Sequence, residues 1–175
     1  MPNSELITAI KTYVNNQEYN AAAYPSDIDG LFAICSQNPT TLEATIYEPV
    51  VCLILQGRKE TWLGDRCVNF GAGESLIVSH HLPIVSRILK ASADKPYTAL
   101  ILSVNMSIIH SLYEELGEAE LVVAKALSLD AGRTDKDLIQ AMGRLFGLTG
   151  RPLEAKVMAP LIRREIHFRL LRANH

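Results

Sequence analysis

Between residues 30 and 104 the apolar pattern of the chain breaks into short segments, and nothing else in the sequence restricts its fold as much. The segments fall at 31–35, 44–47, 50–56, 58–63, 66–70, 74–79, 84–90 and 97–104, each bounded by Gly, Pro, Asn or Asp. Apolar runs of this length between turn residues read as strands. About eight of them at this spacing predict an antiparallel barrel or jelly roll. In Leu63-Gly64-Asp65-Arg66 the two central residues form a hairpin loop, and glycine at the first of them suits a type II′ turn. Gly71-Ala72-Gly73 marks a second tight connection, where glycine supplies positive φ.

On either side of this region the period becomes helical. Residues 4–14 place Leu6, Ile10, Tyr13 and Val14 on one face behind Ser4 as N-cap. Ile109, Leu112, Tyr113 and Leu116 form a stripe that stops at Gly117. Residues 121–129 suit a strand or a helix equally. Thr134 and Asp137 resemble a capping box, followed by the apolar face Leu138, Met142, Leu145 and Phe146. Pro152 and Pro160 each fit a first helical turn, which predicts two helical pieces at 153–158 and 160–172. The expected fold is mainly β with α. It is a single domain over 1–175, with an N-terminal helix and loop at 1–29, an antiparallel barrel at 30–104 and a helical part at 105–175.

Composition narrows the function. The chain has 175 residues, 48% hydrophobic and 21% charged, enough for a core without staples. A net charge of −2 and a pI near 6.2 argue against a domain that grips nucleic acid on its own. Cys35, Cys52 and Cys67 are odd in number and widely spaced, so they suggest neither a zinc site nor a disulfide framework. They read as small buried hydrophobes in strands. The longest apolar run, Val50 to Leu55, is far short of a membrane span, and no leader pattern opens the chain. A cytoplasmic protein with no membrane contact is expected.

Four blocks carry a resemblance. LILQGRKETWLGDR (53–66), FGAGESLIVSHHLP (70–83), PYTALILSV (96–104) and APLIRREIHFRLL (159–171) resemble, in order and spacing, the N-terminal domain of AraC-type transcription regulators. The resemblance covers nearly the whole chain. It implies a cupin-like barrel that binds a small-molecule effector or senses another cue. It also implies helices that form a homodimer and lead to a pair of helix-turn-helix modules. Nothing in residues 105–175 has helix-turn-helix geometry. DNA would therefore be reached only through a C-terminal domain absent from this chain.

A cupin-like barrel raises the question of a metal. Metal-binding cupins use two histidines one residue apart, which share a strand face, whereas His80 and His81 are adjacent and point to opposite faces. No metal and no cofactor is expected. There is no GxSxG elbow and no cysteine in an electropositive motif, so no catalytic residue is expected either. An effector pocket would draw polar and aromatic groups from the barrel, and Tyr47, Trp62, His80, Arg87 and Tyr97 are the candidates. For the dimer interface the first candidates are Ile109, Leu112, Tyr113 and Leu116, with the stripe Ile162, Ile166 and Leu170 second. Arg163, Arg164, Arg169 and Arg172 read as a solvated face, with Glu165 and Arg169 paired at i, i+4. The expected function is a non-catalytic sensor and dimerisation domain. The rivals are a small cupin enzyme, an isomerase or metal-dependent oxygenase, and a dimerisation module with a filled barrel.

Overall fold

The computed structural model describes residues 3–117 and 129–173. In chain order the elements are α1 (Asn3–Asn15), β1 (Tyr24–Pro25), β2 (Leu31–Ser36), β3 (Glu43–Tyr47), β4 (Val50–Gln56), β5 (Arg58–Leu63), β6 (Arg66–Gly71), β7 (Glu74–Val78), β8 (Leu82–Lys90), β9 (Tyr97–Ser103), α2 (Met106–Leu116), β10 (Leu129–Arg133), α3 (Lys136–Phe146) and α4 (Pro152–Leu171). One sheet has the order β1-β2-β9-β4-β7-β10 and the other β3-β8-β5-β6. Every pairing is antiparallel. From β2 to β9 each connection crosses between the sheets, except the β5–β6 hairpin. That is a cupin-like jelly roll, flanked by an N-terminal helix and C-terminal helices, as the strand spacing implied. The segment 121–128, which suited strand or helix, lies outside the described residues. Leu129 opens β10, which pairs with β7.

Glycine decides two of the turns. Gly64 has φ +57°, and no described residue other than glycine has positive φ, which matches the type II′ hairpin. Gly57 joins β4 to β5 with φ +91°, and a Cβ there would lie 2.5 Å from the Lys90 carbonyl oxygen. Only glycine fits. The ladder shifts register on both sides of it, at Ile54/Gln56 and at Arg58/Lys59, and these bulges let the chain pass from one sheet to the other. Gln56 braces the corner, its Nε2 donating to the Pro96 carbonyl at 2.8 Å.

Strand alternation divides the apolar residues between two cores. Leu31, Ala33, Val51, Leu53, Leu55, Leu100 and Leu102 face outward from the larger sheet onto α1, α3 and α4. Ile34, Cys52, Ile54, Phe70, Leu76, Val78, Leu82, Ile84, Tyr97, Ala99 and Leu129 face into the barrel. This is why β4 reads VVCLILQ without alternation: both of its faces are covered.

Three local expectations are corrected. Asp135, not Thr134, caps α3, its Oδ1 accepting from the Asp137 N–H at 2.7 Å. Cys67 is exposed rather than buried. Residues 152–171 form one helix, not two pieces divided at Pro160. Pro160 removes one donor, but Lys156 and Pro160 are exposed, so the freed carbonyl can turn to water. Ala159, Ile162 and Ile166, buried on the opposite face, hold the helix through the break.

Candidate functional site in the barrel interior

On β5 the side chains alternate. Lys59 stands opposite Phe70 and Ile88, and Thr61 opposite Val68 and Ser86, so both point inward. Tyr47 pairs with Leu82 on the same inner face, and Cys52 and Tyr97 enter from the opposite sheet. Lys59 is only 8% exposed. Its Nζ donates to the Tyr47 hydroxyl at 2.8 Å and lies 5.5 Å from the centre of that ring. Burial pulls its pKa down, but attraction to Tyr47, Cys52 and Glu43 outweighs this and holds it above the ordinary lysine value. Lys59 thus places an amine with a single hydrogen-bond partner among the described residues inside an apolar barrel.

The Thr61 hydroxyl in this interior has no hydrogen-bond partner, and the Tyr97 hydroxyl has only the weakly bonding Cys52 thiol beside it. Burial drives the Tyr97 phenol well above its ordinary range, and the Cys52 thiol and Tyr47 hydroxyl beside it add to that. Burial also raises the Cys52 thiol, so it is protonated and no nucleophile.

Of the five sequence candidates, Tyr47 and Tyr97 come together here. Trp62, His80 and Arg87 do not. Trp62 and Arg87 have the opposite strand parity to the inward residues and stand on the outer face of the smaller sheet. Arg87 Nε there donates to Glu60 Oε1 at 2.5 Å. Trp62 borders a shallow concavity of about 410 Å³ with Ala44, Ile46, Pro83 and Val85. His80 is exposed between β7 and β8, its Nδ1 2.9 Å from the Ser79 hydroxyl. His81 is 3.9 Å from Glu48 on the same exposed rim. Among the described residues no three His, Cys, Asp or Glu side chains cluster as a metal site would require.

The helical stripe on α2 divides as well. Ile109 and Leu112 are buried within the chain, while Tyr113 is exposed and Leu116 half-buried. The second-choice stripe, Ile162, Ile166 and Leu170, belongs to the core under the larger sheet. Exposed apolar groups lie instead on the other side of α4, where Leu153, Val157 and Leu161 are 84%, 64% and 60% exposed. Three of the four arginines at 163, 164, 169 and 172 are engaged within the chain, while Arg163 is half-buried with one guanidinium nitrogen unpaired. Arg164 pairs with Glu115, Arg169 with both Glu165 and Asp137, and Arg172 covers the Phe168 ring.

His167 ties α4 to the end of the barrel. Its Nδ1 donates to the Arg163 carbonyl and its Nε2 accepts from the Asn105 N–H, each at 2.7 Å. A carbonyl can only accept, so these bonds require the neutral imidazole with its proton on Nδ1. Burial lowers its pKa to match.

The fold defines a jelly-roll domain whose apolar barrel interior holds a few polar groups, with helices packed on one wall. The chain belongs to the family of AraC-type transcriptional regulator N-termini, whose model matches residues 27–175. No curated protein sequence matches it. Among solved structures it is similar to the apo form of a ToxT point variant from Vibrio cholerae strain SCE256, at 7% identity and a TM-score of 0.56. That match covers 86% of this chain and 59% of the other. It is also similar to wild-type ToxT from the same strain with an unsaturated fatty acid bound, at 8% identity and a TM-score of 0.52, covering 85% and 55%. The AraC-like transcriptional activator CuxR matches at 14% identity and a TM-score of 0.46, covering 86% and 53%. The chain thus spans between 53% and 59% of the length of these structures.

Proposed function

We propose that the chain is the effector-sensing and dimerising part of an AraC-type regulator, without catalysis, and that it governs DNA through a C-terminal helix-turn-helix part. The observation that carries this reading is that Lys59, Tyr97 and Thr61, inside an otherwise apolar barrel, have polar groups that the fold itself leaves incompletely paired. Binding sites are mostly apolar with a few such placed groups. The fatty-acid-bound ToxT structure supports the same use of a related fold. The regulatory family favours this over a cupin enzyme. A cytoplasmic location follows from a role on DNA. Among the described residues no helix is long and apolar enough to cross a membrane.

The link to the helices runs through β9. This strand starts at Tyr97 in the chamber, and just past its far end the Asn105 N–H is held by His167 of α4. An effector that engages Tyr97 acts on the strand that α4 is fastened to, and an arrangement it favours becomes an arrangement of α4. The first half of α4 is apolar on both sides, with Ala159 buried beneath and Leu153, Val157 and Leu161 in water. A helix apolar all round is normally covered on all sides. A second copy of this chain, packing stripe to stripe about a two-fold axis, is the proposed cover.

The test is sedimentation of the wild-type chain against Val157→Glu/Leu161→Glu at equal concentration, with circular dichroism as the folding control. The expected result is a dimer for wild type and a folded monomer for the variant. Two folded dimers would remove α4 from the interface.

A further inference from the structure

We propose that the effector is an organic anion with an apolar body, held inside the barrel with the Lys59 ammonium as its counter-ion. This rests on the barrel being the effector site and adds the chemical class of the effector.

A buried ammonium needs a compensating anion or a full set of acceptors. Lys59 has neither. Among the described residues no carboxylate lies within ion-pair distance of it. Among the described residues its only hydrogen bond goes to the Tyr47 hydroxyl, whereas an ammonium has three protons to donate. The carboxylates nearest in the fold are accounted for. Glu43 is exposed at the strand edge and acts on Lys59 only at a distance, and Glu60 points outward to Arg87.

The same chamber has unused donors. The Tyr97 hydroxyl is fully buried with only the Cys52 thiol beside it, and that of Thr61, two residues along the strand from Lys59 and on the same face, is buried without a partner. Tyr97 interacts electrostatically with both Cys52 and Tyr47, and Lys59 with the same two residues, so the lysine and the tyrosines form one cluster fed by both sheets. A positive charge surrounded by hydroxyls that can donate matches a carboxylate or a similar oxyanion. The remaining wall, with Ile54, Phe70, Leu76 and Ile84, suits an aliphatic or aromatic body.

The experiment compares thermal unfolding of the wild-type chain and Lys59→Met at neutral pH, alone and with matched probes. The probes are octanoate against 1-octanol, and 3-phenylpropionate against 3-phenylpropanol. Expected are a rise in wild-type Tm with the acids and little or none with the alcohols, and no acid-dependent rise for Lys59→Met. Without any probe, Lys59→Met should melt at or above the wild-type temperature, since it replaces an uncompensated charge by an apolar group of similar length. If acids and alcohols raise Tm alike in both proteins, the anion assignment is overturned while the barrel remains the effector site. If no probe shifts the wild type and Lys59→Met melts lower, Lys59 is a structural group in a filled barrel, and both readings fail.

Discussion

The core beneath the larger sheet and the core inside the barrel share two strands, β4 and β9, yet they are built differently. The first buries Leu53, Leu100 and Leu102 against Met142, Leu145, Ile162 and Ile166, and the polar side chains buried beside them, Thr98 and His167, are hydrogen-bonded to backbone groups. The second mixes Ile54, Phe70 and Leu76 with the Lys59 amine, a Thr61 hydroxyl that has no hydrogen bond and a Tyr97 hydroxyl with only the Cys52 thiol beside it. The other unpaired buried side-chain atoms, on Thr134, Thr149 and Arg163, belong to or flank α3 and α4 and lie outside the barrel. A domain gains stability from a core of the first kind and gives some of it up in a core of the second. The contrast supports the proposal that the sheet–helix layer is scaffold and the barrel interior the place of recognition.

The largest test of that division is truncation in the scaffolding core. Leu102 is fully buried between β9 and the helices, and Leu102→Ala should cost about 2–5 kcal/mol in urea unfolding. A cost below about 1 kcal/mol would mean that this layer is loosely packed and the contrast is false.

A smaller effect should come from the joint between the two regions. His167 is held neutral by burial, and the Arg163 charge adds to this while the bond to the Arg163 carbonyl opposes it. Its folded pKa lies below the ordinary value of 6.5, so the unfolded chain takes up the proton first. Stability is then complete above about pH 6.5 and falls as pH drops through the interval down to the folded pKa, by at most about 1.4 kcal/mol per unit for one proton. Urea midpoints at pH 5, 6 and 7.5 should show this for wild type, and the slope should flatten in His167→Gln. An unchanged slope in the variant would place the acid sensitivity elsewhere.

Much of the fold is legible in the sequence because strand and helix leave different periods. The eight segments between residues 31 and 104 become β2 to β9, and the Gly64 turn takes the expected hand. The site was half legible. Tyr47 and Tyr97 stand out in the sequence as polar aromatic residues of strands, whereas Lys59 does not, because a lysine in a strand usually faces water. In RKETWL nothing local says which parity points inward, and Trp62 draws attention to the wrong one. The pairing of Lys59 with Phe70 and Ile88 settles it, and that is long-range information. The α2 stripe shows the same limit, since Ile109 and Leu112 look identical whether a helix covers them from their own chain or from another. Pro160 misled for a different reason: a helix survives an internal proline when the lost bond faces solvent and the opposite face is well packed.

The central claim, that the chamber is kept polar for a ligand and not for stability, is tested most directly by removing its idle hydroxyls. Thr61→Val/Tyr97→Phe deletes two buried oxygens, one without a partner and one with only the Cys52 thiol beside it, and leaves the side-chain shapes nearly intact. The measurement is the urea midpoint of this double variant against wild type, without ligand and with the slope checked for constancy. The account predicts an equal or higher midpoint, a gain of about 1–3 kcal/mol if both hydroxyls carry their full desolvation cost. A loss of more than about 1 kcal/mol would show that the hydroxyls hold the barrel together, and would contradict the account.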